Sequence, residues 1–149
     1  MRILIALLVI TSSASAQVTF KSEWKSATAI FASGMFDGSA ELVKWHYKDF
    51  QKVFPGADPQ FFDPNVSWSN KWKNGNPDEG PRFIGSTTVF VGATDWYHMA
   101  RTFRNTFMVL SITLAEKHSN WKQWVFRLAI YAVAYHAGFW VGYEIPRML

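Results

Sequence analysis

The stretch WVFRLAIYAVAYHAGFWVGYE, Trp124 to Glu144, decides the fold. Between Arg127 and Glu144 it carries no formal charge and one histidine, His136. Trp121 and Trp124 stand at one end and Trp140 and Tyr143 at the other, where an amphipathic ring suits a membrane–water boundary. Ala134, Gly138 and Gly142 follow at spacing four, a small-residue stripe that lets a second helix approach closely. The spacing predicts an apolar helix over 121–144, capped by Asn120 with Gln123 and stopped by Pro146. The uncharged run is slightly short of the roughly 20 residues that span a bilayer. Two settings remain open: a membrane-embedded or half-inserted hairpin, or a buried hairpin in a soluble domain.

Working outward, the preceding apolar run, Thr106 to Ala115, is shorter. It follows TDWYHMARTFRN, Thr94 to Asn105, in which Thr94 offers a helix N-cap and Asp95 suits the first turn. That helix is expected to reach about Lys117, with Lys117 to Asn120 as a polar turn holding a solvated His118. Upstream, a helix is expected over about 22–54, broken near Gly34 or Gly38. Met35, Leu42, His46 and Val53 share its apolar face, while Asp37, Glu41, Lys44 and Lys48 read as a solvated face. FPGADP, Phe54 to Pro59, ends it. Residues 55–85 then form a long loop. Its Phe61, Phe62, Trp68, Trp72 and Phe83 argue for order, since disordered segments are poor in aromatics. STTVFVGA, Ser86 to Ala93, fits a short strand or a helical start.

The N-terminus, MRILIALLVITSSASAQ, has the three-part pattern of a signal peptide. Arg2 precedes an apolar stretch and Ala14-Ser15-Ala16 precedes Gln17. Cleavage after Ala16 would leave residues 17–149 as a single helical domain. The chain has no Cys, which excludes disulfides, a thiolate metal site and a lipoprotein anchor. Its 149 residues are 49% hydrophobic and 17% charged, below the roughly 25% charge of soluble domains. A net charge of +4 without Lys/Arg blocks suits anionic headgroups and argues against nucleic acid.

Chemistry, if present, would lie on the helix after Thr94. Asp95, His98, Thr102 and Asn105 form one stripe, with Arg101 and Arg104 on either side to bind phosphate or carboxylate or to mark the headgroup level. With Glu41 nearby, Asp95, His98, Arg101 and Asn105 make a candidate polar site. A helical bundle could also gather His46, Asp95, His98 and His136 around zinc or iron. No spacing matches a specific ligand motif, however, and each His also reads as a hydrogen-bonded core residue. GxSxG, GxGxxG and the phosphate-binding GxxxxGK[ST] are all absent, and NGNPDEG, Asn74 to Gly80, lacks the ligand alternation of a calcium loop.

Ser67-Trp68-x-Asn70-Lys71-Trp72 and Thr94-Asp95-x-x-His98 are the most specific parts of a wider similarity. From Phe31 to Asn105, and more loosely in the last helix, the chain resembles exported or membrane-associated proteins of Bacteroidetes bacteria and the phages that infect them. The resemblance implies a bacterial or phage source and one unit made of the loop and the helix start. It carries no catalytic residue.

The expectation is therefore a mainly α-helical, membrane-associated protein, exported and held at the periplasmic side of the inner membrane. It would bind lipid, an envelope protein, or a second copy through its helices. The alternative is a membrane-embedded metal-dependent hydrolase acting on a lipid or envelope component.

Overall fold

The computed structural model describes residues 20–117 and 120–149. The signal-peptide expectation and His118 fall outside them. Three long helices make the frame: α1 (Phe20–Val53), α4 (Trp96–Leu114) and α5 (Trp121–Met148). Two one-turn helices, α2 (Pro59–Phe62) and α3 (Pro64–Ser67), and several 3-10 turns fill the loop. The fold is mainly α, as expected.

α1 runs through Gly34 and Gly38 unbroken and departs from helical geometry only at His46 (φ −136°, ψ 40°). The glycines serve contact instead of bending. A Cβ on Gly34 would overlap the Tyr135 carbonyl oxygen, and one on Gly38 that of Phe139. Reciprocally, a Cβ on Gly138 would overlap the Phe31 oxygen, and one on Gly142 the Met35 oxygen. The pairings climb together in both helices, so α1 and α5 run parallel with their backbones in contact. The small-residue stripe of α5 is thus covered from within the chain.

The expected hairpin is corrected by this packing. α4 and α5 each lie along α1 rather than on one another. α4 runs antiparallel to α1: Ser33 Oγ donates to the Arg104 carbonyl at 2.9 Å, and Arg101 reaches Glu41. Phe36 of α1 stacks on Phe107 at 5.6 Å and lies 4.9 Å from Phe103. α4 therefore returns the chain to the start of α1, from which α5 can run parallel to it.

Glu23 and Arg127 pin the α1–α5 register. Arg127 Nε donates to Glu23 Oε2 at 3.0 Å and Nη2 to Oε1 at 2.7 Å, with the two side chains 3% and 0% exposed. Arg127 also donates to the Glu116 carbonyl, and Ser26 Oγ to Glu23 Oε2 at 3.1 Å. The fork fits a carboxylate with two parallel bonds, the geometry in which a buried charge pair is tolerated.

Three boundaries differ from the sequence reading. α5 continues past Glu144 with Pro146 inside it. Proline there removes a single hydrogen bond near the helix end, and Arg147 pairs with Glu144 at 3.1 Å across the same turn. α4 stops at Leu114. Residues 86–93 form turns and a 3-10 turn at Val91–Ala93, and no strand occurs among the described residues. Asn120 does cap α5, accepting from Lys122 N–H at 2.9 Å.

The loop is ordered by caps and cross-bonds. Asp58, Asp63 and Asn76 accept from backbone N–H groups two residues on. Trp72 bridges Pro81, and Asn74-Gly75 supplies the positive φ pair that the intervening turn needs. Phe62 packs on Phe50 at 5.2 Å and on Trp96 at 5.4 Å, beside the cluster of Leu42, Val43 and Phe50. Trp68 and Phe83 instead stay largely exposed.

Gly138→Leu should lower thermal stability by about 1–3 kcal/mol or more, since the added atoms meet backbone. Gly56→Ala has open space and should shift it by less than about 1 kcal/mol. Thermal melts followed by circular dichroism check both. Equal effects of the two substitutions would contradict the close α1–α5 crossing.

Candidate functional site

Two polar clusters gather most of the candidate residues. The first lies at the start of α4. Asp95, not Thr94, is the N-cap: extended at φ −158°, it accepts from His98 N–H at 2.9 Å. Its carboxylate also holds His98 Nδ1, at 2.9 and 2.7 Å from its two oxygens, and receives the Thr94 hydroxyl at 3.0 Å. Burial opposes ionisation of Asp95. The hydrogen bonds from His98 and Thr94 outweigh it and hold the carboxyl below its ordinary range. His98 is about one-third exposed, with its Nε2 outside this pair.

The loop is fastened to this cap. Asn70 Nδ2 donates to the Thr94 carbonyl at 2.9 Å and also to the Gln60 carbonyl. Ser86 Oγ donates to the Lys71 carbonyl at 2.7 Å. The two most specific stretches, SWSNKW and TDxxH, thus meet at the Asn70–Thr94 hydrogen bond, which joins the loop and the helix start structurally.

The second cluster lies between α1, α4 and α5. Asp37 accepts from Arg101 Nη1 at 3.1 Å, from Arg104 Nη1 at 3.0 Å and from the Tyr135 hydroxyl. Glu41 accepts from Arg101 Nη2 and, at 2.8 Å, from Trp45 Nε1. Arg101 donates to the Tyr97 hydroxyl at 3.2 Å and lies over its ring at 5.2 Å. The expected solvated face of α1 is corrected here: Asp37 and Glu41 turn to the arginines of α4, leaving Lys44 and Lys48 exposed. Asn105 accepts from Arg104 Nε at 3.1 Å and so continues this cluster. Two acids facing two arginines neutralise one another, so the cluster is an internal clasp with little charge left for an anion.

The structure does not bring the proposed metal ligands together. His46 lies at the bend of α1, 5.6 Å from the Tyr143 ring and 3.8 Å from an Asp49 oxygen. His136 is exposed on the outer face of α5. Its ring neighbour is Tyr135, at 6.1 Å. Asp95 and His98 face each other. Among the described residues no group of three or more His, Asp or Glu side chains is placed to hold an ion. The helical spacing that aligned these residues said nothing of the direction in which α5 presents His136.

Sequence reasoning missed Glu23 and Tyr135, read Asp37 only as part of a solvated face, and named Asn70 only within the SWxNKW stretch. Arg127 carried a signal, as the charge closing an apolar run, but its partner lies 104 residues away.

No family model, curated protein or solved structure matches the chain.

The Asp95 contribution has a definite sign. Because its folded pKa lies below the unfolded value of about 3.9, its stabilisation is complete above that value and is lost as pH falls through the folded one. Asp95→Ala should cost about 0.5–2 kcal/mol at neutral pH. Asp95→Asn should keep part of the cap and flatten the loss of stability in acid. Chemical denaturation from pH 7 down to pH 2 measures both, and an unchanged acid limb in Asp95→Asn would refute the assignment.

Proposed function

We propose that this chain is an exported bacterial or phage envelope protein, without a catalytic centre of its own, held in the inner membrane by its helical bundle and binding lipid there. Residues 26–36 of α1, 105–115 of α4 and 128–143 of α5 contain no Asp, Glu, Lys or Arg. The Ser33–Arg104 and Glu23–Arg127 contacts set these three runs at a common height. They form one uncharged band, about 16 Å tall on α1 and α4 and about 24 Å on α5 at 1.5 Å per residue.

The observation that carries the reading is the partition of side chains within this band. Its outside is greasy: Val109, Ile112, Leu128 and Val133 are 61–70% exposed. Its inside is mostly small or polar: Ser26, Ala27, Ala29, Ser33, Ser111 and Gly138 are buried, with Ile30 as the large apolar member. A soluble bundle has the opposite arrangement, and monomers rarely expose a contiguous apolar surface of this kind. α5 is long and apolar enough to cross a membrane, with a mean hydropathy of 1.2 over a window of which only 17% is buried. Trp121 and Trp140 stand about 29 Å apart along it, close to the roughly 30 Å hydrocarbon thickness. The arginines near the band are paired inward, as membrane interiors require: Arg127 with Glu23, and Arg101 and Arg104 with Asp37 and Glu41.

Export to the periplasmic side rests on the N-terminal pattern and on the resemblance to exported proteins. On this reading the Asp95–His98 pair caps α4 and fastens the loop that covers the mouth of the bundle.

The full chain should remain with the membrane pellet after alkaline carbonate extraction and should begin at Gln17 when purified from it. Val133→Lys, on the exposed face, should shift a large fraction to the soluble phase while the fold is kept. A wild-type chain recovered as a soluble monomer without detergent would sink the proposal.

A further inference from the structure

At the end of the bundle where α1 begins and α4 gives way to α5, three exposed tryptophans stand among three exposed lysines. Trp24, Trp121 and Trp124 are 50%, 70% and 49% exposed, and Lys25, Lys117 and Lys122 are exposed beside them. The Arg127–Glu23 pair and the Arg127–Glu116 hydrogen bond bring the three helix ends together there. Lys25 lies over the Trp24 ring at 5.9 Å and Lys122 over the Trp121 ring at 6.0 Å. The acids at this end are Glu23, already held by Arg127, and Glu116. Towards the opposite end Asp49 pairs with Lys52, Glu144 with Arg147, and the arginines of α4 with Asp37 and Glu41, while Lys44 and Lys48 are exposed on α1 outside its uncharged run.

We infer that this end is a binding surface for anionic phospholipid headgroups, which its lysines grip while the tryptophans beside them lie in the interface. The inference rests on the membrane reading above and adds a lipid class and a location. Its argument is the position of these side chains at the edge of the uncharged band. Moving down α5, the uncharged run 128–143 gives way to the inward-paired Arg127, then to Trp124, Lys122 and Trp121. On α1 the uncharged run 26–36 gives way to Lys25 and Trp24, and on α4 the run 105–115 gives way to Glu116 and Lys117. Just beyond its uncharged run each helix thus carries a lysine, with tryptophan within two residues of it on α1 and α5, so cationic and aromatic groups sit together at the edge of the apolar band, as they do at the interface of a bilayer. A water-soluble acidic partner would explain the lysines but not the exposed tryptophans interleaved with them beside the band. Zwitterionic headgroups would suit the tryptophans and leave the lysine excess without a counter-charge. Juxtamembrane lysines near an anionic surface contribute about 1 kcal/mol each, a factor of about five in affinity.

The test uses the full chain reconstituted in phosphatidylcholine bilayers. Its tryptophan fluorescence is titrated with brominated phosphatidylglycerol or brominated phosphatidylcholine. The expected result is stronger quenching by the anionic lipid at equal mole fraction. That preference should fall by up to about fivefold for each of Lys25→Gln, Lys117→Gln and Lys122→Gln, and should weaken with added salt. Quenching by brominated phosphatidylcholine should stay unchanged in these variants, which reports that the fold and insertion are intact. Equal quenching by both lipids in the wild type would overturn the headgroup inference and leave the membrane reading standing. A preference that survives in the triple variant would overturn its assignment to these lysines. Absence of quenching by either lipid would overturn the membrane reading itself.

Discussion

Everything in this molecule depends on the contact between α1 and α5. Gly34 and Gly38 on one helix and Gly138 and Gly142 on the other let the two backbones touch, leaving no room at the contact for even a methyl group. Such a contact gains its strength from packed atoms and brings little apolar area out of water, so it suits a medium where burial of apolar surface provides no drive. Its orientation dictates the topology. Two parallel helices cannot be joined by a short turn, so the chain needs a return path, and α4 supplies it. The Glu23–Arg127 fork then fixes the register, and loss of either partner would strand a buried charge at a cost of about 3–5 kcal/mol.

With α1 held in the middle, the arginines of α4 and α5 turn towards it, while Val109, Ile112, Leu128 and Val133 stay on the outside. The inner polar groups are arranged in two layers. One is the Glu23–Arg127 fork and the other is the Asp37 cluster, with aromatic packing of Phe36, Phe103 and Phe107 between them. The loop belongs to the outer end of the bundle. The hydrogen bond from Asn70 and the packing of Phe62 beside Trp96 tie it to the cap of α4, while Ser86 closes the loop on itself through the Lys71 carbonyl.

Much of this frame was legible in the residues. The three long helices follow from apolar periodicity and from the punctuation at Phe54–Pro59 and Lys117–Asn120. The aromatic content of residues 55–85 correctly indicated an ordered loop. The small-residue stripe of α5 announced a close helix contact, although periodicity could not say whether its partner was another chain or α1. The acidic face of α1 misled for a related reason. Asp37 and Glu41 at spacing four look alike whether they face water or the arginines of a helix 60 or more residues away. Gly34 and Gly38 suggested a break because local propensity disfavours glycine in helices, but packing against α5 overrides a cost of about 1 kcal/mol each. The four candidate ligands His46, Asp95, His98 and His136 shared favourable faces only on paper, since a face has no meaning until the neighbouring helix is in place.

The most direct measurement of the central claim, that the uncharged band lies in lipid, exploits the absence of cysteine. Single cysteines placed at Val109, Ile112, Leu128 and Val133, with the exposed Asp78 in the loop as reference, can be spin-labelled without background. Their collision rates with oxygen and with a polar nickel reagent then report the surrounding medium. The four band positions should be rich in oxygen collisions and shielded from the nickel reagent, while the Asp78 position shows the reverse. Free access of the nickel reagent at all four band positions would contradict the account.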